Sequence, residues 1–388
     1  MYNSLNYINI LKIFKCFNIF VYIIHYMGIR NLNALIMKYS SNGVKRKNLS
    51  VYRNKILLID TSIYLYKYLY GNNNHINGFF FQINKLKKFG IIPIYVFEGK
   101  PPIEKTNTVK KRARYKSNIK VRLEEIRKQI LLYTNKIESK KKIIELINQK
   151  KKLEKKLVYI NSDIIKKTKI LFDLMGVQYI VAKCEAEHLC SYLIKNKYAH
   201  GIITEDMDAL PCGSTIVIKK FSNKSDYILE YNLNNIIDDL KLKIDEFIDM
   251  CILCGTDYNN RVSGLNQYEI YKLIIKYKNY KNIYKPCAKL DNLLKLDNLL
   301  KIRKIFKLES ININNTIIDL INSKKRPDQL GLKLFLKTNS TINRKFYNHR
   351  IYLMFNKKYQ KISNNLYISS LKKIYKINKN GKIKKIFK

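Results

Sequence analysis

The sequence contains no tryptophan, and only 13 glycines and 6 prolines are spread over 388 residues. The 46% hydrophobic content fits a folded globular protein rather than a disordered chain. Acidic residues are scarce as well: 29 Asp and Glu stand against 75 Lys and Arg, a formal net charge of +46. That balance points to an anionic polymer as partner, because cations that neutralise phosphates gain affinity by releasing counterions. Part of the charge has another source: scarce Gly, Pro and Trp beside abundant Lys, Asn, Ile and Tyr look like the coding bias of an AT-rich genome. The 7 cysteines form no disulfide framework. Only Cys251-Ile-Leu-Cys254 has C-x-x-C form, with no second pair or histidine cluster beside it, so two core thiols on a helix are expected there. A reducing compartment follows.

A long uncharged apolar run is missing too. The longest near the start, residues 16–26, is too short to span a bilayer and matches at most the h-region of a signal peptide. No membrane partner is expected. Residues 1–26 form an apolar N-terminal extension, read either as a targeting segment or as a mis-assigned start with Met27 the true one. No internal repeat is present.

A chain of 388 residues can bury a substantial core, in one large domain or two. Four short apolar runs read as buried parallel strands: "KILLID" (55–60), "IIPIYVFEG" (91–99), "VQYIVA" (177–182) and "HGIITED" (200–206). Helical patterns separate them. The clearest, "SDIIKKTKILFDLMG", has Ser162 or Asp163 as N-cap and Gly176 as its stop. The expected fold class is therefore α/β, with a central, mostly parallel sheet flanked by helices. Residues 100–157 break the rhythm. Dense in Lys, Arg and Glu and free of Gly, with Leu123, Ile126 and Ile130 at helical spacing, they read as one or two long cationic helices projecting from the sheet. Two further helices flank "GTDYNNRVSGLNQYEIYKLI" over about 245–277, and residues 359–388 form a basic tail.

The few acids are placed with a pattern. Asp60 closes the first predicted strand and Glu98 the second; Glu185 and Glu187 follow the third, and Asp206 and Asp208 close the fourth. In open α/β sheets the ligand crevice lies beyond the carboxyl ends of the strands, where these side chains would converge. Converging carboxylates repel one another unless a cation balances them, and Mg²⁺ is the cation expected among carboxylates and phosphate oxygens. Two such ions could activate water and stabilise the leaving oxygen of a phosphodiester. The alternative for Asp60, followed by Thr61 and Ser62, is an ordinary helix N-cap.

At these residues the sequence resembles the flap endonuclease family, the structure-specific 5′ nucleases. The matching stretches, in the family's order, are "MGIRNLNALI", "IDTSIYLY", "PIYVFEGKPP", "LMGVQYIVAKCEAE", "TEDMDAL" and "CILCGTDY". The resemblance covers roughly Met27 to the 350s, and it implies one nuclease domain over 27–358. Residues 100–157 would be its helical arch and 245–277 its DNA-gripping helix–two-turn–helix. It assigns the metal carboxylates to Asp60, Glu98, Glu185, Glu187, Asp206, Asp208 and Asp257, with two Mg²⁺ ions for which Mn²⁺ may substitute. Glu98 departs from the family's usual Asp; Asp257 enters only through this match. Lys105 and Arg112, seven apart on one helix face, match the cations that act catalytically on the scissile phosphate. Tyr66 matches an aromatic that stacks on a base near the cut. Gly28 matches the glycine at the family's chain start, which lies close to the active site.

Two departures stand out. The run Gly264-Leu265-Asn266-Gln267-Tyr268 lacks the family's Gly-x-Gly turn followed by Pro and Lys, which puts potassium binding and duplex grip at issue. Asn tolerates left-handed geometry, so Asn266 would serve in place of the second glycine. Gln82 stands where the family usually carries an Arg, removing one DNA contact. The family also binds the sliding clamp through a C-terminal Gln-led motif; the nearest string, at 329–336, is expected to be a core helix instead. The implied activity is Mg²⁺-dependent cutting of 5′-flap DNA at the junction of single and double strand, as in lagging-strand processing and base excision repair. A 5′–3′ exonuclease activity, a monomer and a nuclear location go with it. The rival reading is a non-catalytic DNA-junction binder derived from the same family.

Overall fold

Four parallel-sheet strands were expected, and the computed structural model sets them side by side in a sheet of seven. It describes residues 28–29, 31–72, 74–134, 140–278, 296–309, 311, 314–355, 375–377 and 383–385. The predicted extension 1–26, Met27 as a start, and most of the tail 359–388 lie outside these.

In chain order the first elements are α1 (Leu32–Tyr39), β1 (Val44–Asn48), β2 (Ile56–Asp60), α2 (Thr61–Asn72), α3 (His75–Lys88) and β3 (Ile92–Phe97). The cationic segment follows as α4 (Thr106–Thr134) and α5 (Lys140–Lys156). Then come α6 (Ser162–Leu174), β4 (Gln178–Val181), α7 (Ala186–Lys195), β5 (Gly201–Ile203), β6 (Ile216–Lys219) and β7 (Tyr227–Asn232). Helices α8 (Leu233–Leu240), α9 (Ile244–Cys254), α10 (Gln267–Tyr277), α11 (Leu296–Phe306), α12 (Asn315–Asn322), α13 (Gln329–Asn339) and α14 (Arg344–Phe355) follow, and a small hairpin pairs β8 (Tyr375–Ile377) with β9 (Ile383–Lys385).

The strand order is β1-β7-β6-β5-β2-β3-β4. Strands β6, β5, β2, β3 and β4 run parallel; β7 is antiparallel to both its neighbours. Side chains alternate across the sheet. Leu58 and Ile202 join one core with α1, α7, α9 and α10, while Leu57, Ile59 and Ile203 join another with α2, α3, α6 and α13. A sheet covered on both faces explains why its inner strands read as continuous apolar runs. Strands β1, β6 and β7 were not read from sequence; β1, "VKRKN", is a polar edge strand whose one apolar residue, Val44, gives no pattern.

The cap of α6 differs from expectation: Asn161, not Ser162 or Asp163, accepts a 2.9 Å hydrogen bond from Ile164 N–H. Among the described residues of the cationic segment only Ile119, Leu123 and Ile126 of α4 and Leu146 of α5 are buried, so the two helices pack through a narrow seam and expose their charges. Cys251 and Cys254 are buried free thiols of α9. The 329–336 string lies in α13, where Leu332 and Leu336 are wholly buried against α6 residues such as Leu171. Among the described residues no helix is long and apolar enough to cross a membrane.

Candidate metal centre

The chain leaves β2 toward β3 and β4, then returns to the other side of β2 as β5. The order reverses there, and a crevice opens beyond the carboxyl ends of β2 and β5. Asp60, the last residue of β2, sits at that point. Its Oδ1 accepts from the Ser62 and Ile63 N–H groups at 3.0 and 3.3 Å, capping α2. Its Oδ2 accepts from the Thr204 hydroxyl just past β5, at 3.2 Å. Asp60 is thus an N-cap through one oxygen and faces the turn after β5 through the other.

The turn after β5 is wound on its own side chains. Asp206 N–H donates to Thr204 Oγ1 at 3.1 Å, and Asp208 N–H donates to Asp206 Oδ1 at 3.0 Å. Asp208 Oδ1 in turn accepts from Ile29 N–H at 2.9 Å, which brings Gly28 onto the pair. Gly28 has φ +73°, and a Cβ there would overlap Asp206 Oδ1 and come within 2.8 Å of Asp208 Oδ1. No side chain fits that place. Glu205, between them, turns away: it accepts from Lys220 N–H and lies 3.8 Å from Lys67.

Glu185 and Glu187 occupy the N-cap and first turn of α7, where a helix N-terminus favours negative charge. Glu98 follows β3 at the exposed rim; hydrogen bonds from Gly99 to Cys184 and Lys100 to Lys183 hold that rim beside the approach to Glu185. Asp257 comes from the loop after α9. Asp60, Glu185, Glu187, Asp206, Asp208 and Asp257 are each only 2–7% exposed, too little for water to solvate their charges.

Two cations answer them. Lys105, just before α4, pairs with Glu185 Oε1 and lies 3.2 Å from Asp257 Oδ2; Arg112 Nη2 lies 2.8 Å from the same Asp257 oxygen. Thr108 and Lys111 tie the same loop to α4, donating to Asp257 O at 2.6 Å and Asn260 Oδ1 at 3.0 Å. Two cations do not balance six buried acids. Burial, then the charges of Glu98 and Asp206, push the Asp60 carboxyl up to about 8. Burial and neighbouring carboxylates also raise Asp206, and lift Glu187 and Asp208 far above the usual range. The ammonium of Lys105, despite burial, is raised by Glu187, Glu185 and Asp257 and stays charged. A donor set of hard oxygens with surplus negative charge fits divalent cations. Ligand atoms of Glu185, Glu187 and His188 lie within 4.8 Å of one another.

Sequence reading gave no role to Tyr258 or His188. The Tyr258 hydroxyl donates to Glu185 Oε2 and lies 3.0 Å from His188 Nε2. Burial holds His188 neutral, pushing it down to about 4, and burial and nearby acids keep the proton on Tyr258. The hydroxyl has one proton to give, so His188 Nε2 must be the protonated nitrogen. Their signals were faint: a Tyr next to Asp257, and a His three residues beyond Glu185 on one helix face.

Tyr66, on α2, is half-buried, within electrostatic reach of Glu98 and Arg112. Gln82 is fully buried and accepts from Tyr95 OH at 3.1 Å, so it faces the core rather than any ligand. Gly264 takes the left-handed conformation, φ +77°. Asn266 does not: it is extended at φ −90°, ψ 168°, and caps α10 in a capping box with Glu269. The expectation of a left-handed Asn266 is thus corrected. A side chain that accepts from Tyr268 and Glu269 N–H works best from the extended N-cap geometry.

Comparison with known proteins agrees with this geometry. The XPG N-terminal domain model matches residues 27–119 and the XPG I-region model matches 176–257. The chain is 31% identical over 338 residues to flap endonuclease 1 of Entamoeba histolytica, covering 82% of this chain and 84% of that one. With flap endonuclease 1 of Entamoeba dispar it shares 34% over 277 residues, 67% of this chain and 70% of the relative. In fold it is similar to flap endonuclease-1 from Methanococcus jannaschii, with TM-score 0.57, 22% identity, and 81% and 97% of the two chains covered. The catalytic core of Rad2 in complex with DNA substrate is likewise similar, with TM-score 0.59, 22% identity, and 84% and 100% covered. The two domain models span the stretches that supply Asp60, Glu185, Asp206 and Asp257, curated relatives above 30% identity align with most of the chain, and the chain belongs to the flap endonuclease family.

Proposed function

We propose that this protein is a Mg²⁺-dependent, structure-specific 5′ nuclease that cuts flap DNA where single strand meets duplex, with 5′–3′ exonuclease activity on related ends. One observation carries the reading: Lys105, from the short 3-10 turn before α4 rather than from the same helix face, and Arg112, from α4, reach into a buried carboxylate cluster built at the switch point of the sheet. The name flap endonuclease 1 on the relatives and the DNA in the Rad2 complex support it.

Asp60, Glu98, Glu185, Glu187, Asp206, Asp208 and Asp257 would hold the metal ions, Mg²⁺ or in its place Mn²⁺. When bound, the ions supply charge stabilisation and a nucleophile at neutral pH. Lys105 and Arg112 would turn from the acids to the scissile phosphate and neutralise the charge that grows on it. Gly28 lets the backbone close over Asp206 and Asp208 without a side chain in the way of DNA. Tyr66 would stack on a base beside the cut. Gly264 and the α10 N-terminus would meet duplex phosphate; with Asn266 used as a cap, a potassium ion there has no support from the turn. The chain would act as a monomer, in a nucleus, in fragment processing during replication and in repair. A sliding-clamp contact would need a surface other than α13.

The test is a labelled 5′-flap duplex with the full chain and with a chain begun at Met27, with and without Mg²⁺, beside Asp206→Ala. Metal-dependent cutting at the flap base, lost in the variant, is expected. Tight flap binding with no cutting in Mg²⁺ or Mn²⁺ would overturn it in favour of a non-catalytic junction binder.

A further inference from the structure

Arg112, Lys116 and Lys120 fall at i, i+4 and i+8 on α4, one cationic row leaving the metal centre for about 12 Å. A row of tyrosines faces it. Tyr66 and Tyr70, four apart on α2, stack with ring centroids 6.3 Å apart at 29°. Beyond them Tyr159, in the link between α5 and α6, is 47% exposed, and Tyr115 of α4 is 50% exposed. Lys116 Nζ lies 5.8 Å from the Tyr66 ring and 4.5 Å from the Tyr159 ring, and Lys120 Nζ lies 5.4 Å from Tyr159. The link is fixed in place: Lys116 Nζ donates to Val158 O at 3.1 Å, and Tyr70 OH donates to Lys156 O at 3.3 Å.

We infer that Tyr159, with Lys116 and Lys120, is a second base-stacking station for single-stranded DNA, outward of Tyr66 along the row that starts at Arg112. Exposure alone marks nothing, since Tyr227 and Tyr352 are as open; what sets Tyr159 apart is a ring with two ammonium groups of the Arg112 row beside it. Alternating ring faces and ammonium groups suit a strand whose bases and phosphates alternate in the same way. An arriving base would take the Tyr159 face now capped by ammonium groups, and Lys116 and Lys120 would turn to the flanking phosphates. This rests on the proposed nuclease reading, and it adds that the single strand is held by its bases as well as its charge.

The experiment measures anisotropy of a labelled oligo-dT strand and of an abasic strand of equal length, with the full chain, at fixed salt and without divalent metal. Wild type is expected to bind the thymine strand about tenfold or more tighter than the abasic one. Tyr159→Ala should give up about fivefold of that ratio, and Tyr159→Phe, which keeps the ring, should restore it. An unchanged ratio in Tyr159→Ala, or no preference in wild type, would overturn the inference. Flap cutting is assayed in parallel. A chain that cuts no junction sinks the nuclease reading, while the thymine-to-abasic ratio still decides this one.

Discussion

Lys105 stands beside Asp257, Nζ 3.2 Å from Oδ2, and the same ammonium pairs with Glu185. A cation supplied by the chain thus occupies ground among the carboxylates that a metal would contest. With Arg112 on the same Asp257 oxygen, the base of α4 is drawn down onto the cluster by charge. A metal bound here would therefore compete with Lys105 and Arg112 for the same oxygens, and would leave both cations free to meet phosphate.

Lys105→Ala separates those two roles. Loss of a cation aimed at developing charge should slow cutting about 10²- to 10³-fold at saturating Mg²⁺. The rise in Tm on adding Mg²⁺ should persist, and should need less Mg²⁺ than in wild type, since no ammonium contests Glu185 and Asp257. Differential scanning fluorimetry beside single-turnover cleavage reads both. Loss of the Mg²⁺-induced rise would show that Lys105 organises the site rather than acting on substrate.

Asp60 sets the pH dependence. Its carboxyl, near 3.8 in an unfolded chain, is pushed up to about 8 in the fold by burial and then by Glu98 and Asp206. Between those values the folded protein holds a proton that the unfolded chain has lost. Stability of the metal-free protein from this group is full below about 3.8 and is lost as pH rises through about 8. Metal-free Tm should therefore fall from pH 6 to pH 8.5, and Mg²⁺ should raise Tm more at the higher pH. Asp60→Asn keeps an oxygen for the Ser62 and Ile63 N–H groups while removing the charge. It should flatten the pH profile, raise metal-free Tm at pH 8.5 and abolish cutting. A variant with the wild-type slope would remove Asp60 from the account.

The legibility of this molecule follows physical lines. The inner strands were readable because burial on both faces demands continuous apolar runs, and Asp60, Glu98 and Asp206 were readable because they end those runs. β1 was hidden because an edge strand needs no apolar pattern, only a partner, and that partner, β7, lies far along the chain. Asp257 needed the family resemblance, since it arrives on a loop with no strand to announce it. Asn266 was assigned the wrong conformation because Asn serves both left-handed turns and N-caps. Only the placement of Glu269 three residues on, as N3 of a capping box, distinguishes the two. Tyr258 and His188 left only faint signals because their roles lie in hydrogen bonds that close between α7 and the loop after α9.

Gly28 is packed directly against two of the site carboxylates. With φ +73°, Gly28→Ala incurs left-handed strain of about 1–2 kcal/mol. Its methyl group would also displace the Asp206 carboxylate. Thermal stability should fall by a few degrees, yet cutting should fall far more, because the shift lands on the two carboxylates held by Ile29 and Asp208 N–H. A Mg²⁺ titration of Tm should shift to higher concentration. An Ala variant that cuts as fast as wild type would mean that the 28–29 segment does not close on these acids during turnover.

Tyr258→Phe tests whether the buried hydroxyl positions Glu185. Removing it takes one donor from the carboxylate and leaves His188 Nε2–H without its partner, a buried loss of about 1–3 kcal/mol in stability. That loss alone would lower Tm and leave the metal response where it was. If the hydroxyl also fixes Glu185, its absence lets the carboxylate swing toward Lys105, and the Mg²⁺ concentration for half-maximal cutting should rise about tenfold. Cutting at saturating Mg²⁺ should then recover most of the wild-type rate, since no group on the phosphate has been removed. A second substitution, His188→Leu, leaves the Tyr258–Glu185 bond in place while deleting its support, and should give the same shift in smaller measure. Equal Mg²⁺ requirements in all three proteins would make the Tyr258–His188 pair packing alone.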